Sequence, residues 1–97
     1  MIARVGRIQV HVDKLDGFKN SFEKSVVSVV KQQKGYRSSC LLMDRKTGNC
    51  ISIGFWDTEQ EALADKHTGH LEERVDSLKE FVVVPHVIEL YEMAVRD

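Results

Sequence analysis

Hydrophobic and polar positions along this chain follow two rhythms. Ile8, Val10 and Val12 alternate with Arg7, Gln9 and His11, so Arg4 to Val12 is predicted to be a first strand. Leu15, Phe18, Phe22, Val26 and Val29 or Val30 then recur at three- and four-residue spacing, which predicts an amphipathic helix capped by Asp13 or Asp16. The run Val26-Val27-Ser28-Val29-Val30 suits a strand by propensity, but the helical spacing begins two turns earlier and decides the matter. Gly35, behind Lys31 and Lys34, is the expected left-handed residue just past the helix end. Tyr36 to Arg45 reads as the second strand, turned back by Lys46-Thr47-Gly48, with Gly48 supplying the positive φ of a three- or four-residue hairpin loop. The two loop lengths leave open which face carries Leu41 and Met43.

The third strand follows in Ile51, Ile53 and Phe55, which alternate with Ser52, Gly54 and Trp56 up to Asp57. Thr58 and Glu61 then form a T-x-x-E capping box, and Ala62 and Leu63 give the new helix its first buried face. A stop is expected at Thr68-Gly69. A second helical segment opens at His70 with acidic residues in its first turn, where the helix dipole favours them. It continues through Leu71, Val75 and Leu78 to about Phe81, and Pro85 marks the approach to a last strand, His86 to Val95. The order β-α-β-β-α-β predicts a ferredoxin-like α+β fold with an antiparallel sheet, one domain over residues 1–97, without repeats or linkers.

The last strand adds an expectation about assembly. Ile88, Leu90 and Ala94 lie on one face, and Val87, Tyr91, Met93 and Val95 on the other. A strand apolar on both faces needs cover on both. Helices supply one side, and a second copy of the sheet across a two-fold axis is the simplest cover for the other.

Composition narrows the class. The chain has 97 residues, 42% hydrophobic and 30% charged, the profile of a water-soluble globular protein. A chain this short buries only about two thirds of its unfolded surface, a further reason to expect a homodimer. A net charge of -1 and the lack of a basic stripe give no reason to expect nucleic acid. No apolar run is long enough to span a membrane. Arg4 and Arg7 interrupt any signal-peptide core, so a cytoplasmic location is expected. Cys40 and Cys50 would face each other only in a hairpin centred on Arg45, which leaves no room for a loop around Gly48. They are read as two small buried hydrophobes, neither disulfide nor zinc ligands.

The stretch from Cys50 to Glu73 carries a resemblance. A strand ending in Trp56, then Asp57-Thr58, Glu61-Ala62-Leu63 and Thr68-Gly69-His70-Leu71, resembles the antibiotic biosynthesis monooxygenase (ABM) family of dimeric α+β barrels. The order of elements fits that family over nearly the whole chain. Many members carry an earlier His on the first of these helices; here Asp65 stands near that place and His67 two residues later. The resemblance implies two sheets packed face to face, with each subunit's ligand held between its own sheet and helices. It also implies oxidation of electron-rich phenolic substrates, such as quinols and anthrones, by O2 without a cofactor. The substrate supplies the electrons, and the protein a dry pocket, orientation and a proton acceptor.

On that reading His70 is the first candidate for the catalytic base, with His67 as its alternate; each has a plainer role as a capping or core residue. Gly6, Ile8, Ile53, Phe55, Trp56 and Leu71 are the candidate substrate-binding residues, although parity points Trp56 away from Ile53 and Phe55, toward the expected dimer side, where it would serve as an interface anchor. Arg7, Gln9 and His11 form a polar row, with Glu89 and Tyr91 at the same parity on the last strand, and contact between the two groups is not assured. No G-x-G-x-x-G, P-loop, G-x-S-x-G or H-E-x-x-H is present, and no metal or cofactor is expected. Haem-degrading relatives of the fold use an Asn, a Trp and a His; aligned through Trp56 those places fall near Gly6, on Asp65 and on Val75, so haem degradation is not expected. The competing class is a non-catalytic dimer of the same fold that binds a small apolar molecule or serves in a stress response. A void on the helix side of the sheet would favour the enzyme; a filled one would remove its substrate site.

Overall fold

Strand β1 (Ile2–Val10) is flanked on both sides, by β3 (Asn49–Trp56) and by β4 (Val82–Glu92), and β2 (Tyr36–Met43) lies outside β3, giving the antiparallel order β2-β3-β1-β4. This computed structural model describes residues 1–65 and 70–97, with the side chains of residues 70–72 and 84–86 left aside. Helices α1 (Leu15–Phe22), α2 (Ser28–Val30), α3 (Glu59–Ala62) and α4 (His70–Ser77) complete the ferredoxin-like α+β arrangement. Among the described residues, no helix is long and apolar enough to cross a membrane.

The long predicted helix is present, but it is not uniform. α1 runs into a π-helical segment, Glu23–Val27, and then into α2. Leu15, Phe18, Phe22 and Val30 are buried and Val26 is partly so, whereas Val29 is exposed, which settles the choice between the last two valines. A strict four-residue repeat drifts around an α-helix; the wider π turn takes up part of that drift and keeps the apolar positions toward the sheet. Neither Asp13 nor Asp16 caps the helix. A 3-10 turn at Val12–Lys14 puts Lys14 at the N-cap, and Asp16 instead accepts a bond from Arg45 at 3.2 Å. Gly35 has the expected positive φ of +85°, but it sits in the turn before β2, where its carbonyl accepts from Asp57 N at 2.9 Å.

The hairpin loop has four residues. Asp44 and Asn49 close it through Asp44 N to Asn49 O at 2.8 Å, the Asp44 carboxylate accepts from Lys46 N at 2.9 Å, and Gly48 takes φ +81°. This register puts Leu41 and Met43 against the helices. Cys40 lies opposite Ile53, and Cys50 opposite Met43, so both thiols are free. Cys50 is buried in the core, where burial raises its thiol pKa, but Cys40 is exposed and corrects the expectation of two buried cysteines.

Strand boundaries also move. β1 starts and ends two residues before the expected limits, and Val12 is exposed. β4 begins at Val82, runs through Pro85 and stops at Glu92, leaving Ala94 and Val95 outside it. Proline is tolerated there because β4 is an edge strand, and because two register shifts opposite Arg7, Gln9 and Val10 relax the ladder nearby.

Register fixes the faces. Gly6 pairs with Ser52 and with Ile88, Ile8 with Cys50, and Arg4 with Gly54 and with Leu90. Directly opposed residues share a face. Even-numbered positions of β1 and β3, and of β4 from Ile88 on, therefore face the helices. Two buried clusters form there: Val10, Leu15, Phe18, Phe22, Cys50 and Leu78 at one end, and Val30, Trp56 and Ala62 at the other. Ile53 and Phe55 are on the opposite, uncovered face, and Trp56 is on the helix side. Both assignments reverse the sequence expectation, which paired the odd positions of β3 with Gly6 and Ile8 without knowing the register.

Candidate functional site between sheet and helices

The centre of the helix-side face carries very little side chain. Gly6, Ser39, Ser52 and Gly54 are neighbours there through the pairs Gly6 with Ser52 and Ser39 with Gly54. A Cβ on Gly6 would come within 2.7 Å of Ser52 Oγ, and one on Gly54 within 3.1 Å of Trp56 Nε1, so larger residues would displace the side chains around them. Helices lying over a floor of small residues cannot close down on it, and a cavity of about 480 Å³ remains.

Its walls are mainly apolar. Phe18, Phe22, Val26, Val27 and Val30 come from the long helix, Val75 and Leu78 from α4 and its end, and Ile8, Val82 and Ile88 from β1 and β4. Trp56 closes one end, edge-on to Tyr36 with ring centroids 5.5 Å apart, and Tyr36 Oη shares a 2.6 Å hydrogen bond with Ser39 Oγ. A large apolar pocket with a few convergent polar groups is the usual form of a small-molecule site.

The strongest polar feature was not found from the sequence. Arg4 and Arg74 both line the cavity, and both pair with Asp65, whose side chain is fully buried. Arg4 Nη1 donates to Asp65 Oδ1 at 2.9 Å, to Oδ2 at 3.0 Å and to the Ala62 carbonyl at 2.8 Å; Arg74 Nη2 donates to Asp65 Oδ2. Loss of hydration lowers the pKa of both guanidinium groups, and Arg4 adds a repulsive push on Arg74. One signal was available: Arg4 shares the parity of Gly6, Ile8 and Val10. A charged residue on an apolar face requires a partner, and Asp65 lies 61 residues away.

Of the sequence candidates, Gly6, Ile8 and Trp56 line the cavity. Ile53 borders it, although its parity places it on the other face, and Phe55 is not part of the lining. His67 and the side chains of His70 and Leu71 lie outside the described residues; the backbone of His70 opens α4, four residues before Arg74. Among the described residues, no group of three or more His, Cys, Asp or Glu is placed to hold a metal ion.

On the uncovered face, Arg7 does reach the last strand. Its Nε donates to Glu89 Oε1 at 2.8 Å, and Tyr91 Oη donates to Glu89 Oε2 at 2.8 Å. The contact that the sequence left unassured is made because β4 pairs directly with β1.

Comparison with solved structures gives the class of fold. The chain superposes on a Nitrosomonas europaea protein provisionally named an antibiotic biosynthesis monooxygenase, with a TM-score of 0.78 and 17% identity over 96% of this chain and 89% of that one. A Bordetella bronchiseptica protein with the same provisional name gives 0.82 and 12% identity over 97% of each chain. A variant of SnoaB from Streptomyces nogalater, described as a cofactor-independent oxygenase, gives 0.80 and 16% identity over 98% of this chain and 94% of that one. No protein-family model matches the sequence, and no curated protein matches it. The chain thus has the fold of the ABM monooxygenases, as its Trp56-to-Leu71 stretch implied.

Proposed function

We propose that this chain is a cofactor-independent monooxygenase that oxidises a quinol-like or polyphenolic compound with O2 in the cavity between its sheet and helices. The observation that carries the reading is the cavity itself: about 480 Å³, apolar-walled, and floored by residues too small to fill it. The fold shared with SnoaB supports it. For an anthrone-type substrate the balance needs no other reductant. A ring CH2 becomes C=O, one oxygen atom enters that carbon, and the other leaves as water with the two hydrogens. The four electrons that reduce O2 all come from the substrate.

The protein's part is to orient the substrate, exclude water and take a proton, because the deprotonated substrate is richer in electrons and passes them to O2 more readily. A positioned base contributes roughly 10²–10⁴-fold. His70 is the proposed base, one helical turn before the cavity-lining Arg74 on α4, with His67 the substitute. The working unit in this proposal is a single domain paired as a homodimer, the uncovered sheet face of one copy on that of the other.

Oxygen uptake with a reduced quinol or anthrone, in the absence of added metal, flavin or nicotinamide, tests the proposal. Wild type, His70→Ala and His67→Ala are compared, each checked for assembly by size exclusion and corrected for autoxidation. Loss confined to one variant identifies the base. Equal rates in all three exclude both histidines. No uptake above background across a broad quinol panel favours the non-catalytic binding protein.

A further inference from the structure

Among the described residues, the cavity wall holds more positive than negative charge. Two guanidinium groups, Arg4 and Arg74, converge on the single carboxylate of Asp65. The Arg74 side chain is only 7% exposed and that of Arg4 only 15%, so water does little to solvate the surplus cation. A buried charge without a counter-charge is costly, and guanidinium does not escape the cost by losing its proton. At the margin of the cavity, Asp76 and Lys79 are exposed and opposite in sign, so they leave the imbalance in place. Among the described residues, the hydrogen bonds of Arg4 leave from Nη1 alone and that of Arg74 from Nη2 alone. Each guanidinium carries five N–H donors.

We propose that the ligand of this cavity is an aromatic acid, whose carboxylate is received by Arg4 and Arg74 while its ring lies over the Gly6–Ser52–Gly54 floor. The inference rests on the reading of the cavity as a small-molecule site and names the class of molecule it takes. Guanidinium forks match a planar carboxylate in both shape and charge, and two such donors in a site walled mainly by apolar side chains favour the exchange of its hydration for them. Asp65 then has a second role: it holds both forks in place and trims the field from two charges to one, so the anion is attracted without being trapped.

Calorimetric titration with 2-naphthoate and its neutral isostere 2-naphthamide tests this directly. Wild type is expected to bind the anion at least about tenfold more tightly than the amide. Arg74→Gln, which removes the surplus charge, is expected to bring the ratio close to one. Asp65→Asn, which doubles the surplus, is expected to widen it. Arg74→Lys, which keeps the charge, is expected to retain the preference. Should Arg74→Gln or Asp65→Asn fail to fold by circular dichroism, the ratio of the two probes in wild type and its retention in Arg74→Lys decide the matter. A purely structural cluster would shift affinity for both probes alike. Equal binding of the two probes by wild type would overturn the anion preference and leave the cavity reading standing. Binding of neither would overturn both. Selective anion binding without oxygen uptake on any quinol would sustain this inference and sink the oxygenase.

Discussion

Arg4 and Arg7 lie three residues apart on one strand, each paired with a carboxylate, and they have almost nothing else in common. Arg4 faces the helices and binds an Asp65 side chain that has no exposure at all. Arg7 faces the uncovered side and binds Glu89, with side-chain exposures of 58% and 36%. Burial lowers the pKa of the Arg4 guanidinium, whereas the hydrogen bond and charge of Glu89 raise that of Arg7. The same pair of functional groups is therefore a high-stakes junction on one face and a solvated contact on the other. The difference follows from strand parity together with what covers each face. The buried junction ties β1, the segment after α3, and α4 together at the edge of the cavity. The exposed one stands among Val87, Leu42 and Tyr91, large side chains about half exposed on a face that none of the described elements covers.

Removing one carboxylate from each network measures that contrast. Asp65→Ala leaves two guanidinium groups buried without their partner and is expected to cost about 3–5 kcal/mol, enough to unfold a marginal domain. Glu89→Ala is expected to leave the midpoint of urea denaturation unchanged within error, since a solvated pair contributes little. Equal losses at the two sites, measured with m-values alongside, would show that the faces do not differ in the way described.

The next largest effect concerns the cover of the open face. If a second copy lies there, Leu42→Glu introduces a charge into the interface twice, once from each subunit. The dimer dissociation constant is expected to rise by at least about 30-fold, corresponding to about 2 kcal/mol, while the circular dichroism spectrum stays that of the wild type. Sedimentation equilibrium at micromolar concentration reads this. A wild-type chain that is a folded monomer there would remove both the interface and the barrel.

The sequence made the order of elements legible because each element has its own period and punctuation. The alternation in Ile51 to Trp56, the Thr58 N-cap and Gly48 all do what their spacing predicts. What could not be read was how the strands slide against each other. Period-2 alternation divides β3 into two sets but does not say which set joins Gly6. That depends on the pairing Gly6 with Ser52, a contact 46 positions long in sequence. Placing Ile53 and Phe55 inside and Trp56 outside was the consequence. The Arg4–Asp65–Arg74 cluster was missed for a related reason, since its members come from three separate segments and meet only after the chain has folded. The apolar spacing around Val26 showed a helix but not its π segment, which depends on how the turns settle against the sheet.

A smaller effect is expected at the edge of the cavity side. Thr58 is the N-cap of α3: its hydroxyl accepts from Glu61 N at 3.2 Å and donates to Glu61 Oε1 at 3.0 Å. The box thus closes through the Thr58 hydroxyl, with the Glu61 carboxylate bound to it and not to the Thr58 amide. Thr58→Ala is expected to cost about 1 kcal/mol. That is well below the loss at Asp65, three residues past the same helix. An unchanged denaturation midpoint would place the start of α3 elsewhere.

The smallest expected effect returns to the open face and depends on pH. The hydrogen bond from Tyr91, followed by that from Arg7, holds the Glu89 carboxyl below its ordinary value of 4.5, and Glu89 in turn raises the Tyr91 phenol above 10.0. A carboxylate with a depressed folded pKa stabilises the fold fully above its unfolded pKa. That contribution fades as pH falls from the unfolded value through the lower folded one. Stability should therefore decline on acidification below about 4.5, and part of the decline should vanish in Glu89→Gln. Asp44 contributes a decline in a lower range, because the Lys46 amide holds its carboxyl below 3.8, so Asp44→Asn serves as the control for the hairpin. Carboxyl NMR titration of the wild type separates the two directly. Because both groups are solvated in the single chain, the slopes should be shallow. A steep, concentration-dependent slope removed by Glu89→Gln alone would mean that the Arg7–Glu89–Tyr91 network is covered after all, and the contrast between the two faces would then belong to the lone chain and not to its assembly.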